Sequence, residues 1–193
     1  MQNKIFLLSH QDDEIAIFNH IKMSIQSKDK IYIFYLTNGR IKKIEDEKII
    51  NIREKETTKV LKKIGVEEKN IIFLGKKLQT NSYELYKKLD ITFRELSKYF
   101  TELKNDTIIY SHSWEGGNTD HDSSYIITLK LIKRFSVIKS AFQFLIAIFI
   151  SLADSFSFNA LSNNGKNSSS LAKRNAIICD ILNSLGNNFP VIT

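Results

Sequence analysis

The first half of the chain alternates short β-branched or aromatic runs with stretches of helical period, and this constrains the fold more than any other feature. Lys4–Leu8 is a short apolar run, after which Ile15, Ile17, Phe18, Ile21 and Ile25 recur at the spacing of one helix face. Lys30–Leu36, rich in Ile, Tyr and Phe, reads as a second strand closed by the turn Thr37-Asn38-Gly39. Glu45–Ile64 reads as a long helix stopped by Gly65, just past its end. Ile71–Leu74 follows as a third strand, Ser82–Leu103 as a helix and Thr107–Tyr110 as a fourth strand. The order β-α-β-α-β-α-β predicts an α/β fold of three layers, a mostly parallel sheet covered by helices on both faces.

In such open sheets ligands bind beyond the carboxyl ends of the strands. The places to search are therefore just after Leu8, Leu36, Leu74 and Tyr110. Further along, Asp120–Arg134 reads as a helix, and Phe142–Phe149 fits either a strand or part of a helix. Asn159–Ser170 reads as a loop and Leu171–Leu185 as a helix stopped by Gly186. With no internal repeat, the 193 residues suit a single domain, 1–193.

Charge narrows the function classes. The chain carries a net charge of +7, but its lysines are interleaved with glutamates along helical stretches. No compact Lys/Arg run with interleaved aromatics occurs, so no nucleic-acid partner is expected. The single cysteine, Cys179, permits neither a disulfide framework nor a Cys-based zinc site within the chain. The most apolar stretch, Ala141–Ala153, is shorter than the ~20 residues of a spanning helix. Membrane contact is not expected, no signal peptide is read at the start, and a cytoplasmic location follows.

Two clusters carry the chemistry. Strand one ends in Ser9-His10-Gln11-Asp12-Asp13-Glu14, which puts ionisable groups at the edge of a buried strand. Helix capping explains one aspartate. It leaves His10 beside two adjacent aspartates unexplained. Strand four is followed by the stretch from Ser111 to Asp122, which holds His112, a Gly-Gly pair and an Asp-His-Asp run. If strands one and four are neighbours, His10, Asp13 and His121 can meet. Two imidazoles and a carboxylate make a three-ligand zinc site whose fourth position stays open for water, lowering its pKa toward ~7. Asp12, next to a ligand but pointing elsewhere, is placed to take a proton from that water. Trp114 either stacks on a sugar ring or packs its loop, and Glu115 contacts either substrate or a neighbouring backbone. His20 is read as structural or exposed. No glycine-rich phosphate loop follows strand one, so no nucleotide cofactor is expected.

These residues resemble the PIG-L/LmbE-like zinc N-deacetylases. That family carries His-Pro-Asp-Asp-Glu after its first strand, matched by His10 to Glu14 with Gln11 for the proline. Its Trp-Glu-Gly-Gly-His-x-Asp-His-Asp loop is matched by Trp114 to Asp122, and its Thr-Asp-Gly turn by Thr37-Asn38-Gly39. Its Arg-x-x-Glu helix ending near Leu-Gly is matched by Arg53, Glu56 and Ile64-Gly65. The resemblance spans the first two-thirds of the chain, and four motifs in register are far more specific than one.

The resemblance implies a Rossmann-like fold, Zn2+ held by His10, Asp13 and His121, Asp12 as general base and Arg53 facing the substrate. The activity implied is removal of the N-acetyl group from an N-acetylglucosamine-type amino sugar, free or on a lipid, nucleotide or glycan carrier. Asn118 stands where the family has a histidine thought to stabilise the oxyanion; asparagine donates a neutral hydrogen bond but supplies no charge. His112 is either a compensating donor or a plain loop residue. The family's Tyr-x-Ser-Gln tail motif is met only by Leu182-Asn183-Ser184-Leu185. These departures leave a second expectation, a weakened or inactive relative that binds sugar or metal.

Overall fold

The computed structural model describes residues 1–144 apart from 43, 104 and 105. Five strands, β1 (Asn3–Leu8), β2 (Lys30–Tyr35), β3 (Ile71–Ile72), β4 (Thr107–His112) and β5 (Ile138–Phe144), form one sheet in the order β3-β2-β1-β4-β5. All four pairings are parallel. Helices lie on both faces of this Rossmann-like α/β sheet: α1 (Phe18–Gln26), α2 (Lys48–Ile64), the single turn α3 (Leu74–Lys77), α4 (Leu89–Thr101) and α5 (Thr119–Arg134).

Strand β1 is central and buried at all six positions. Its side chains alternate between the two faces, as a strand requires. Ile5 and Leu7 pack with Leu96 and Phe100 of α4 and Ile127 and Leu131 of α5. Phe6 and Leu8 pack on the other face with Ile21 of α1 and Leu61 of α2. Each such burial contributes roughly 1.5–3 kcal/mol, so β1 is fixed in register where the stretch from His10 to Glu14 begins. Among the described residues no helix is long and apolar enough to cross a membrane.

Several boundaries differ from the sequence reading. Helix α1 starts at Phe18, and Ile15 is 76% exposed instead of sharing its apolar face. The Asp13 carboxylate accepts the His10 backbone N–H at 2.7 Å, and Asp13–Ile15 form a separate 3-10 turn, so the helical phase restarts after the motif. Helix α2 starts at Lys48 because Glu45 accepts from Ile41 N–H at 2.7 Å and from Arg53 at 2.8 Å, holding a loop open. It ends as expected, with Gly65 left-handed at φ 106°.

Strand β3 is only two residues long, and Leu74 belongs to the turn α3. Gly75 explains the bend: a Cβ there would lie 2.1 Å from the Thr37 carbonyl carbon, so the chain presses backbone to backbone. The expected helix Ser82–Leu103 resolves into a loop, a 3-10 turn Leu85–Lys88 and α4, with Tyr83 at φ 64°. Strand β4 runs on to His112. Strand β5 reaches Phe144, so residues 142–144 are strand. The remainder of Phe142–Phe149 and the readings of Asn159–Ser170, Cys179, Leu171–Leu185 and Leu182–Leu185 lie outside the described residues.

Candidate metal centre

The chain builds β1, β2 and β3 outward in one direction, then returns to lay β4 on the other side of β1. That reversal is the switch point where open α/β sheets hold ligands. His10 lies two residues past β1, Asp13 opens the next 3-10 turn, His112 ends β4 and His121 lies in the first turn of α5. The β1–β4 pairing, which runs from Asn3↔Thr107 to Leu7↔Ser111, brings the two sequence clusters together.

Ligand atoms of His10, Asp13 and His121 all lie within 4.8 Å of one another. Asp13 Oδ1 is 3.8 Å from His10 Nδ1 and 3.7 Å from His121 Nε2. Donor atoms about 2.1 Å from a tetrahedral ion stand roughly 3.4 Å apart, so the three atoms need only small movements to hold one. The other side of each group is occupied. His10 Nε2–H donates to Asp120 Oδ2 at 3.0 Å, and His121 Nδ1–H donates to Glu115 Oε2 at 2.8 Å. Asp13 Oδ2 accepts from His112 Nε2 at 2.8 Å and from the His10 backbone N–H at 2.7 Å. These partners keep a proton of His121 on Nδ1, so Nε2 is the nitrogen on which a metal would replace a proton; that nitrogen is buried with no hydrogen-bond partner. A buried, unpaired nitrogen facing a carboxylate oxygen fits a divalent cation. A carboxylate behind a ligand histidine is the usual arrangement around zinc.

Charge is concentrated here. Burial disfavours a charged His10, but the Asp120 and Asp13 carboxylates outweigh it and push its pKa up to about 10. His121 behaves likewise: burial opposes the charge, and Asp13 and Glu115 raise it to about 9. Burial alone would raise Asp13, yet His112, His10 and His121 hold it well below the ordinary carboxylate range. His112 itself is lowered by burial. Glu14 is pushed up to about 7 by its burial.

The other expected residues take different positions. Asp12 is exposed and caps no backbone N–H. Asn118 is the N-cap of α5, its Oδ1 accepting from Asp120 N–H at 3.1 Å and His121 N–H at 3.4 Å. Arg53 donates to Glu45 and packs beside Gly39, over which Gln11 also lies. Trp114 meets Tyr125 edge-on at 6.2 Å, so it packs its own loop onto α5. Glu115 faces His121, whose Nδ1 lies 2.8 Å from its Oε2. His20 is exposed and lies 5.2 Å from the Tyr110 ring.

Two residues take on contacts that only the structure shows. Asp120, fully buried, bonds His10 and also accepts from Tyr83 N–H at 2.5 Å and Leu85 N–H at 3.1 Å. It thereby fastens the loop before α4 to the His-Asp-His cluster. In the sequence it is one carboxylate of a helix start, and its partners Tyr83 and Leu85 carry no motif. His112 is the second, a strand residue with 0% exposure instead of a loop residue. Asp122 closes the loop by accepting from Glu115 N–H at 2.8 Å and Gly116 N–H at 3.1 Å.

Fold and site together define a parallel α/β domain with a His-Asp-His cluster, suited to a divalent metal, at its topological switch point. A family model, PIG-L, described as GlcNAc-PI de-N-acetylase, matches residues 5–132, about two-thirds of the chain. The chain belongs to the PIG-L family, a family of deacetylase hydrolases. No curated protein matches it.

Proposed function

We propose that the chain is a zinc-dependent hydrolase that removes the acetyl group from the nitrogen of an N-acetylglucosamine-type amino sugar. The observation that carries this is the buried, unpartnered His121 Nε2 facing Asp13 Oδ1 at 3.7 Å, in a chain of the PIG-L family. His10 Nδ1, Asp13 Oδ1 and His121 Nε2 hold the zinc. Bound there, zinc supplies a Lewis acid for water and for the acetyl carbonyl.

The chain's own groups move the protons. Asp12 is exposed beside a ligand and committed to no cap, so it takes the proton of the attacking water and returns it to the leaving amine. The Asn118 oxygen is held by two helix N–H groups, which fixes the amide and leaves its NH2 to donate to the developing oxyanion. Arg53 and Trp114 border the sugar site, whereas Glu115 acts by holding His121. The sugar is free or carried on a lipid, nucleotide or glycan, and the setting is cytoplasmic.

One observation favours a second reading. Asn118 serves as a helix cap and offers no positive charge, which fits a relative that binds without turnover. Acetate release by the zinc-loaded protein, measured across free and carrier-linked N-acetyl amino sugars, separates the two. Release supports the hydrolase. Silence across the panel with one equivalent of zinc bound supports the binder.

A further inference from the structure

We propose that His112 is a positioning residue that holds Asp13 and His121 in their coordinating geometry and keeps Asp13 a ligand through one oxygen only. The inference rests on His10, Asp13 and His121 being the zinc ligands.

Asp13 has two oxygens, and a carboxylate free to turn would offer both to a cation. Here Oδ2 is occupied by His112 Nε2 at 2.8 Å and the His10 backbone N–H at 2.7 Å, on the side away from the other ligands. Oδ1 alone faces His10 Nδ1 and His121 Nε2. The consequence is an open coordination position. Two imidazoles and one carboxylate oxygen leave the fourth tetrahedral site for water or substrate; a second oxygen from Asp13 would fill it.

His112 also fixes the second ligand. Its ring stacks on that of His121 with centroids 3.8 Å apart and planes 12° from parallel, while Glu115 holds the opposite edge of His121. His112 can do this because it is the last residue of β4, paired across the sheet with Phe144. Its ring therefore projects from the end of a strand that is paired within the sheet.

His112, Glu115 and His121 also form a group with ligand atoms within 4.8 Å of one another. The two groups share His121, which also bonds Glu115, while His112 bonds Asp13. The ligand set around Asp13 keeps every one of these bonds, so His112 acts on the metal through Asp13 and His121.

The test uses the full-length protein and His112→Leu, His112→Gln and His112→Asn, each checked for folding by circular dichroism. Zinc affinity is measured by chelator competition and coordination by the visible spectrum of the cobalt-loaded protein. Glutamine extends its amide about as far as imidazole Nε2; asparagine stops short of Asp13. We expect Leu and Asn to weaken zinc binding ~10–100-fold and to change the cobalt spectrum toward higher coordination, with Gln restoring both. Zinc affinity and cobalt spectrum unchanged in Asn and Leu would overturn the proposal. So would X-ray absorption showing one imidazole fewer around the metal in His112→Gln, which would make His112 a ligand. Failure of the wild-type protein to bind zinc would instead overturn the functional reading beneath it.

Discussion

His10 Nε2 and Asp120 Oδ2 lie 3.0 Å apart although 110 residues separate them in the chain. The contact joins the motif after β1 to the motif after β4, and Asp120 extends it to the backbone of Tyr83 and Leu85. One buried carboxylate therefore orients His10 and anchors a loop. Its loss is expected to be felt twice.

Asp120→Ala leaves His10 and two backbone N–H groups without their acceptor. Breaking a buried charged pair of this kind costs about 3–5 kcal/mol, to be read from urea unfolding. Asp120→Asn keeps an acceptor but loses the charge, and zinc affinity should fall ~10–100-fold with a smaller loss of stability. Equal stability and equal zinc affinity in both variants would remove Asp120 from the site.

Asp12→Ala is expected to reduce acetate release by at least ~10²-fold while zinc stays bound at one equivalent. Asp12 has no structural bond to lose, since it is exposed and caps nothing. Loss of zinc in this variant would contradict its assignment as the proton carrier.

The zinc-free protein should lose stability as pH rises. His10 and His121, near 10 and 9 when folded, both lie above the ordinary histidine value of 6.5. Their contribution is fully present below pH 6.5 and is lost as pH climbs through 9 and then 10. Asp13 acts in the opposite direction: depressed below its ordinary 3.8, its contribution is present above that value and lost in stronger acid. Both histidines are protonated at pH 7 without metal, so zinc must displace a proton from each and bind more tightly as pH rises. Calorimetric titration in buffers of different ionisation enthalpy counts those protons; release of none would mean the histidines are not ligands.

Gly75→Ala should destabilise the protein by about 1–3 kcal/mol, because the new Cβ meets the Thr37 backbone at 2.1 Å. Thr37 donates to the Ser9 carbonyl at 2.7 Å, so the strain reaches the residue before His10. Gly117→Ala is the control, since a Cβ there meets nothing within 4 Å. Equal thermal shifts for the two variants would contradict the close approach.

Much of this was legible from local sequence. The β1 and β2 runs and the Gly65 stop match the elements found, because burial on both sides and a left-handed cap impose residue types over a few positions. The boundaries that moved did so where a side chain bonds across the fold. Asp13 turning back to His10 delays α1, Glu45 holding Arg53 delays α2, and Gly75 pressing on Thr37 cuts β3 short. Glu115 and His112 were visible as residues but not in their contacts, which depend on which ring edge faces which oxygen.

The sequence by itself determined the alternation that makes a parallel α/β sheet, and the residue types at the ends of β1 and β4 that can bind a metal. Both follow from short-range chemistry: the period of apolar residues, and the donor atoms that His and Asp carry. Only the tertiary structure decided that β4 lies beside β1, that Asp13 presents Oδ1, and that Asp120, Glu115 and His112 hold the opposite sides of His10, His121 and Asp13. Such pairings join residues as far as 99 and 110 positions apart. They are set by strand order and side-chain rotamers within a packed core, and no local period encodes them.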